Sequence, residues 1–216
     1  MIPLLLVVLA APRFVEGLGI ERARVAIELI IDDRTLSSPM VRDAANATRY
    51  MLSDDGDGLI EGAEIMAAQS NGRKGELRDA RLQTIRGLEY APANPRGWTL
   101  LCEIDLASAP NDAAKCMDTA FFIAPFDWYV ARRRAVLAAD LWPRLDSDVQ
   151  LAAARRVRLM WNSDNWPDHR VKDALYDVYQ APYGRDLLTA GFAGDKEEMR
   201  ELDRWLIRQN MYGPNE

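Results

Sequence analysis

Apolar residues recur along most of this chain with the 3.6-residue period of an amphipathic helix. Val149, Ala153, Val157 and Met160 form one stripe that runs on to Trp161. Met199, Leu202, Leu206 and Gln209 form another near the C-terminus. Ala23, Val25, Ala26, Leu29 and Ile30 predict a helix over Glu16–Ile31. Met40, Ala44, Ala47 and Met51 predict a second over Ser37–Leu52, opened by Ser38-Pro39. Pro143 breaks the chain, and Ser147-Asp148-Val149-Gln150 is a capping-box pattern for the next helix. Pro167 opens a helix through Tyr179, Gln180–Asp186 reads as a loop, and Asp195 with Glu198 repeats the capping pattern. No alternating stretch of useful length argues for a strand. The pattern therefore predicts an all-α protein.

A repeat organises the middle of the chain. Gly75–Asn94 recurs in type at Ser108–Asp127, with an offset of 33 residues. Asp79 maps to Asp112, Ala80 to Ala113, Gly87 to Ala120, Pro92 to Pro125 and Asn94 to Asp127. Small residues seven apart share a helical face and let a neighbouring helix approach closely. Each proline stops its helix, and Asn94 or Asp127 is placed to cap the next. Between the copies, Asn94-Pro95 opens a helix carrying Trp98, Leu101 and Cys102. In this register Ile65 stands where Trp98 does, so Glu61–Gln69 with Arg78–Ala91 is the first marked hairpin. Pro95–Ala107 with Asn111–Ile123 is the second. Asp127–Leu141 begins a third, but its small residues and closing proline do not recur.

A period near 34, a W-x-x-L start, a small residue and a terminal proline resemble the tetratricopeptide repeat family. The resemblance implies a stack of antiparallel helix hairpins, a degenerate α-solenoid, over residues 16–216, with the best repeats at 61–127. It also implies a scaffold whose partners are other proteins. In such arrays the first helix of each repeat lines a concave groove, which would place Trp98, Trp128, Arg133 and Arg134 on a partner-binding surface. There the two arginines would hold a carboxylate or phosphate. The alternative is that their stems cover apolar surface while their heads stay in water. The stretch Phe126–Gln150, with an N-terminal hydrophobic segment, also resembles small bacterial envelope proteins associated with exopolysaccharide production. That likeness implies a cell-envelope complex.

Ile2–Ala11 breaks the helical pattern with ten apolar residues before Pro12-Arg13. About twenty are needed to cross a bilayer. Residues 1–15 are read as an envelope-directed signal or anchor that tethers the chain to a membrane. The alternatives are an anchor shortened by a wrong start, or a first helix buried in the fold. The expected location is the cell envelope, membrane-anchored or periplasmic, with the cytoplasm as the alternative.

One segment carries specific chemistry. Aligned with the twelve-residue EF-hand calcium loop, Ser53–Glu64 puts Asp55, Asp57, Gly58, Ile60 and Glu64 on positions three, five, six, eight and twelve. Short carboxylates ring the ion in such a loop, Gly permits the sharp turn, and the last Glu binds with both oxygens. Ser53 stands where the motif wants Asp, and Gly62 weakens the exiting helix. A calcium-binding module with Asp55, Asp57 and Glu64 as ligands is thus the alternative function. The plainer reading is an inter-helix turn in which Asp55 or Asp57 caps a helix.

Charge and composition narrow the classes further. With 216 residues, 49% hydrophobic, the chain can bury a core as one helical array or two small units. A net charge of −6 argues against general nucleic-acid binding. Residues 131–172 run the other way, with nine Arg or Lys against five Asp or Glu, so a local basic face is open. Cys102 and Cys116 fall on adjacent antiparallel helices in the repeat register. Two small buried thiols are the favoured reading, with a disulfide as the alternative in an oxidising compartment. His169 stands alone beside Asp168 and Arg170, giving no support to a His-based metal site or catalytic triad. No phosphate loop, G-x-S-x-G elbow or H-E-x-x-H occurs. A hydrolase using carboxylates is the weakest class, so the expectation is a non-enzymatic scaffold.

Overall fold

The computed structural model describes residues 55–70, 73–125, 127, 129–163 and 170–212. The N-terminal apolar run, the helices expected over Glu16–Ile31 and Ser37–Leu52, Ser53, Trp128 and His169 lie outside the described residues. Among the described residues there are nine α-helices and no strand. They are α1 (Gly56–Ser70), α2 (Lys74–Tyr90), α3 (Pro95–Leu106), α4 (Pro110–Ile123), α5 (Ala131–Leu141), α6 (Ser147–Trp161), α7 (Arg170–Gln180), α8 (Gly184–Gly191) and α9 (Lys196–Tyr212). A 3₁₀ turn, Trp142–Arg144, links α5 to α6. The chain divides into two compact units, residues 1–108 and 109–216.

In the first unit, α1 and α2 form an antiparallel hairpin on which α3 packs. The pairing runs from Gly56 beside Ala91, through the Leu59 carbonyl bonded by Gln83 Nε2 at 3.1 Å, to Ala63 beside Ala80. Glycine sets the closeness of this contact. A Cβ on Gly87 would sit 2.7 Å from Ile60 Cγ1 and 3.0 Å from the Gly56 carbonyl oxygen. Leu100 and Ile104 of α3 complete a core with Ala63 and Ala80. Across this packing, Arg81 of α2 grips the buried Asp105 of α3 with both Nε and Nη2, at 2.5 and 3.1 Å.

The helix punctuation follows the repeat. α2 ends just before Ala91-Pro92 and α4 just before Ala124-Pro125. Ala80, Gly87, Ala113 and Ala120 are all buried, as close packing on that face requires. Asn94 caps α3, its Oδ1 accepting from the Gly97 N–H at 2.8 Å, with Pro95 in the first turn. Asp127 does not play the matching role. Its Oδ1 accepts from the Tyr129 N–H at 2.9 Å, an Asx turn, and α5 starts only at Ala131.

In the second unit, sequential contacts are joined by others that skip along the chain. α8 lies most extensively on α6, and α5 packs on α7. The stripe Val149, Ala153, Val157 and Met160 is buried along α6, and Leu202 and Leu206 anchor α9. Trp161 meets Phe192 and Trp205 edge to face, at centroid distances of 6.3 and 6.0 Å. The Asp195–Glu198 cap forms, with the Glu198 N–H donating to Asp195 Oδ1 at 3.0 Å. The Ser147–Gln150 box does not. Asp146 is the N-cap residue, and Gln150 Nε2 turns back to the Trp142 carbonyl at 2.8 Å. The loop expected over Gln180–Asp186 is also shorter, because α8 begins at Gly184. No larger residue fits there, since a Cβ would lie 1.6 Å from the Val178 carbonyl oxygen.

Candidate functional site

The calcium-loop alignment meets a different local structure. From Gly56 to Glu64 the chain is already the first two turns of α1 and not a loop. The reason is packing: Gly56, Gly58 and Gly62, which weaken an isolated helix, are all buried where α1 meets its neighbours. The three candidate ligands consequently point to different partners. Asp55 Oδ1 accepts from the Asp57 N–H at 3.2 Å, a local turn bond at the head of α1. Asp57 Oδ1 accepts from Asn94 Nδ2 at 2.7 Å. Glu64 is 1% exposed and its Oε2 is gripped by Arg96 Nη2. Among the described residues no group of three acidic, Cys or His side chains is arranged to hold a metal ion.

Arg96, which the sequence reading passed over, organises this face. It stands in the first turn of α3, and its Nη1 also reaches Glu61 Oε1 at 3.4 Å. Burial raises the Glu61 carboxyl above its ordinary value of 4.5; Arg96 pulls the other way, and Glu64 and Asp57 add to the rise. Glu61 and Glu64 are three residues apart on one helix, so they share a face. That spacing was visible in the sequence, whereas the partner 32 residues on was not.

The expected groove residues belong to different units. Trp98 belongs to the first unit, where its indole N–H donates to the Pro92 carbonyl at 2.7 Å. Arg133 and Arg134 belong to the second unit, and Trp128 lies outside the described residues. Arg133 is half-buried on α5. Arg134, expected in a groove with its head in water or on a partner anion, does neither. It is 2% exposed, and its Nη1 donates to the Ala124 carbonyl at 2.6 Å. Ala124 is the C-cap of α4, where unpaired carbonyls and the negative end of the helix dipole attract a cation.

A second arginine accompanies it. Arg156 of α6 is 4% exposed, and it stands at helical spacing within the apolar stripe, three residues after Ala153 and four before Met160. Burial holds the Arg134 guanidinium down to about 10; Asp127 opposes this, and the charge on Arg156 adds to it. Arg156 is lowered mainly by its own burial, with Asp127 again opposing. Both buried arginines thus feel the charge of Asp127, which is half-buried at the α4–α5 turn. On the surface of the same unit, Phe122 and Tyr129 flank that turn and are 86% and 79% exposed.

Both cysteines are oxidised: Cys102 and Cys116 form a disulfide, which replaces the favoured reading of two free thiols. No described helix is long and apolar enough to cross a membrane. No protein-family model, curated protein or solved structure matches the chain.

Proposed function

We propose that the protein is a non-enzymatic interaction scaffold, a degenerate tetratricopeptide-like solenoid serving a bacterial cell-envelope or polysaccharide-production complex. The observation that carries this reading is the exposed aromatic pair, Phe122 and Tyr129, at the end of a helix hairpin in the second unit. Large apolar side chains left that open beside a turn suit a protein partner, where aromatic anchors supply much of the binding energy. Arg133, half-exposed on the next helix, adds a charge that would orient such a partner. The disulfide supports an extracytoplasmic location, because such bonds persist in oxidising compartments and are rare in the cytosol.

The test uses the full chain as bait against envelope and cytosolic fractions of its source cells. The reading expects a stoichiometric partner from the envelope fraction, whose retention drops at least about tenfold when Phe122 and Tyr129 are both changed to Ser. That drop corresponds to roughly 1.4 kcal/mol, modest for two aromatic anchors. Capture unchanged by the double substitution, or a partner drawn only from the cytosol, would refute it.

A further inference from the structure

We infer that the Cys102–Cys116 bond is made before the helices around it close, by exchange with a reactive disulfide, so that the chain is a client of a thiol-oxidising partner. The observation is the burial of both sulfur-bearing residues: Cys102 is fully buried and Cys116 is 7% exposed. Thiol–disulfide exchange needs a thiolate to approach along the axis of the bond it attacks, so access governs its rate as much as acidity does. In the packed chain Cys102 lies among buried neighbours along α3, beside Leu100, Leu101 and Ile104. Cys116 stands between the buried Ala113 and Ala120 on α4. An oxidant therefore meets these thiols only while the helices are open.

The chemistry balances within that class of partner. One cysteine thiolate attacks the partner's disulfide, forming a mixed disulfide and expelling one partner thiolate. The second cysteine, deprotonated, attacks its chain-mate's sulfur in that mixed disulfide. The intrachain bond forms and the second partner thiolate leaves. Two electrons pass from the chain to the partner, and the two thiol protons pass to solvent or to the departing thiolates. The partner disulfide is that of a C-x-x-C oxidase or of a small molecule such as oxidised glutathione, and both are tested. The inference does not rest on the scaffold reading, and failure to capture a binding partner leaves it untouched.

The test begins with the intact oxidised chain, exposed to dithiothreitol with and without denaturing urea and sampled by maleimide-polyethylene glycol gel shift. Exchange gated by opening should slow reduction in native buffer by about a thousandfold or more relative to urea, matching the small open fraction of a folded protein. Equal rates in the two buffers would overturn the inference. A second arm presents the urea-reduced full chain, on dilution, with oxidised glutathione or with a C-x-x-C oxidase whose resolving cysteine is Ser and whose remaining cysteine carries thionitrobenzoate as a mixed disulfide, so that attack by the chain thiolate expels thionitrobenzoate. A mixed disulfide on the diluting chain is expected in at least one case, and in neither for Cys102→Ser/Cys116→Ser. Which of the two forms the adduct identifies the source. If neither does, or if the reduced chain left to refold before the oxidant is added forms it equally fast, the inference fails.

Discussion

Arg134 reaches back ten residues to bond the carbonyl of Ala124, so that a buried side chain of α5 closes the C-terminus of α4. The guanidinium supplies a second, shorter bond to that carbonyl, which also accepts from the Asp127 N–H at 3.4 Å, and it does so from a side chain that is itself buried. Arg134→Ala should therefore lower stability by about 1.5–3 kcal/mol, the range for a hydrogen bond to a charged group. Arg134→Lys should recover only part of this, since an ammonium on a different stem cannot keep the same reach. Chemical denaturation of the three proteins checks both values, and an Ala variant as stable as the parent would contradict the capping role.

The same residue gives a pH dependence with an unusual sign. Its folded value of about 10 lies below the ordinary arginine range, because burial disfavours the charged form. Between those values the unfolded chain binds the more protons, so the Arg134 contribution rises with pH. Its stabilising part is present above the unfolded value and lost as pH falls through about 10. Comparing parent with Arg134→Met across pH 9–11 isolates the effect from titrating lysines and tyrosines. The parent should gain on the variant as pH rises through this range, and a constant gap would show that the group is not held down.

Much of this arrangement was legible in the sequence, and the exceptions share a cause. The stripes on α6 and α9 were readable because each buries a face set by local spacing alone. The ends of α2 and α4 were readable because proline forbids continuation whatever packs nearby. The start of α1 was not, since Gly56, Gly58 and Gly62 favour a turn locally and are helical here in buried positions, Gly56 against the α2 backbone at Gly87 and Ala91. α8 was missed because Ala181 through Gly184 carries turn chemistry right up to its first residue. Arg133 and Arg134 were flagged together, yet only tertiary contacts distinguish the half-exposed head from the buried one. Arg156 was missed although it falls within a stripe that had been identified; a charged residue at a core-facing step was the available signal. The Arg96–Glu64 pair is a product of packing, which periodicity does not report, whereas the repeat register did put Cys102 and Cys116 on adjacent helices and left their bond as the alternative to two thiols.

Glu61 and Glu64 should respond in opposite directions to the same change. Glu64 is buried against Arg96, so Glu64→Gln removes one of that guanidinium's two counter-charges and should cost about 1.5–3 kcal/mol, the range for a hydrogen bond to a charged group. Glu61 has a raised folded value, chiefly from burial. Its contribution is fully present below the unfolded value of 4.5 and is lost as pH rises through the folded one. At pH 7 the ionised side chain is thus a net liability, and Glu61→Gln should leave stability equal or higher. The gap between Glu61→Gln and the parent should narrow as pH is lowered toward 4.5. Urea midpoints of both variants at pH 5 and 7 test this, and a large loss on Glu61→Gln at pH 7 would reverse the assignment.

Two glycines on α2 make a paired test of the α1–α2 contact. Gly75 has nothing near the position of an added Cβ, so Gly75→Ala should stabilise by roughly 0.5–1 kcal/mol through helix propensity. Gly87→Ala offers the same propensity gain but drives a methyl to 2.7 Å from Ile60 Cγ1 and 3.0 Å from the Gly56 carbonyl. Overpacking of this kind costs about 1–3 kcal/mol, which should leave the variant destabilised overall. Melting temperatures moving in opposite directions would support the close crossing. A gain for both would mean that the two helices stand further apart.

Calcium offers the sharpest contrast between the local motif and the packed chain. To form an EF-hand loop, residues from Gly56 to Glu64 would have to leave the helix, separating Glu64 from Arg96 and Asp57 from Asn94. Gly56 and Ile60 would also lose their packing against Ala91 and Gly87. Breaking one buried ion pair alone costs about 3–5 kcal/mol. Extracellular calcium modules with dissociation constants near 10⁻⁴–10⁻³ M gain only about 4–5.5 kcal/mol from the ion. The balance favours the helix, so titration to millimolar calcium should release no heat and leave the melting temperature unchanged. Arg96→Ala frees the Glu64 carboxylate without removing any ligand. A calcium response in that variant alone would show that Arg96 occupies the place of the ion, whereas a response in the parent would show that the loop opens despite it.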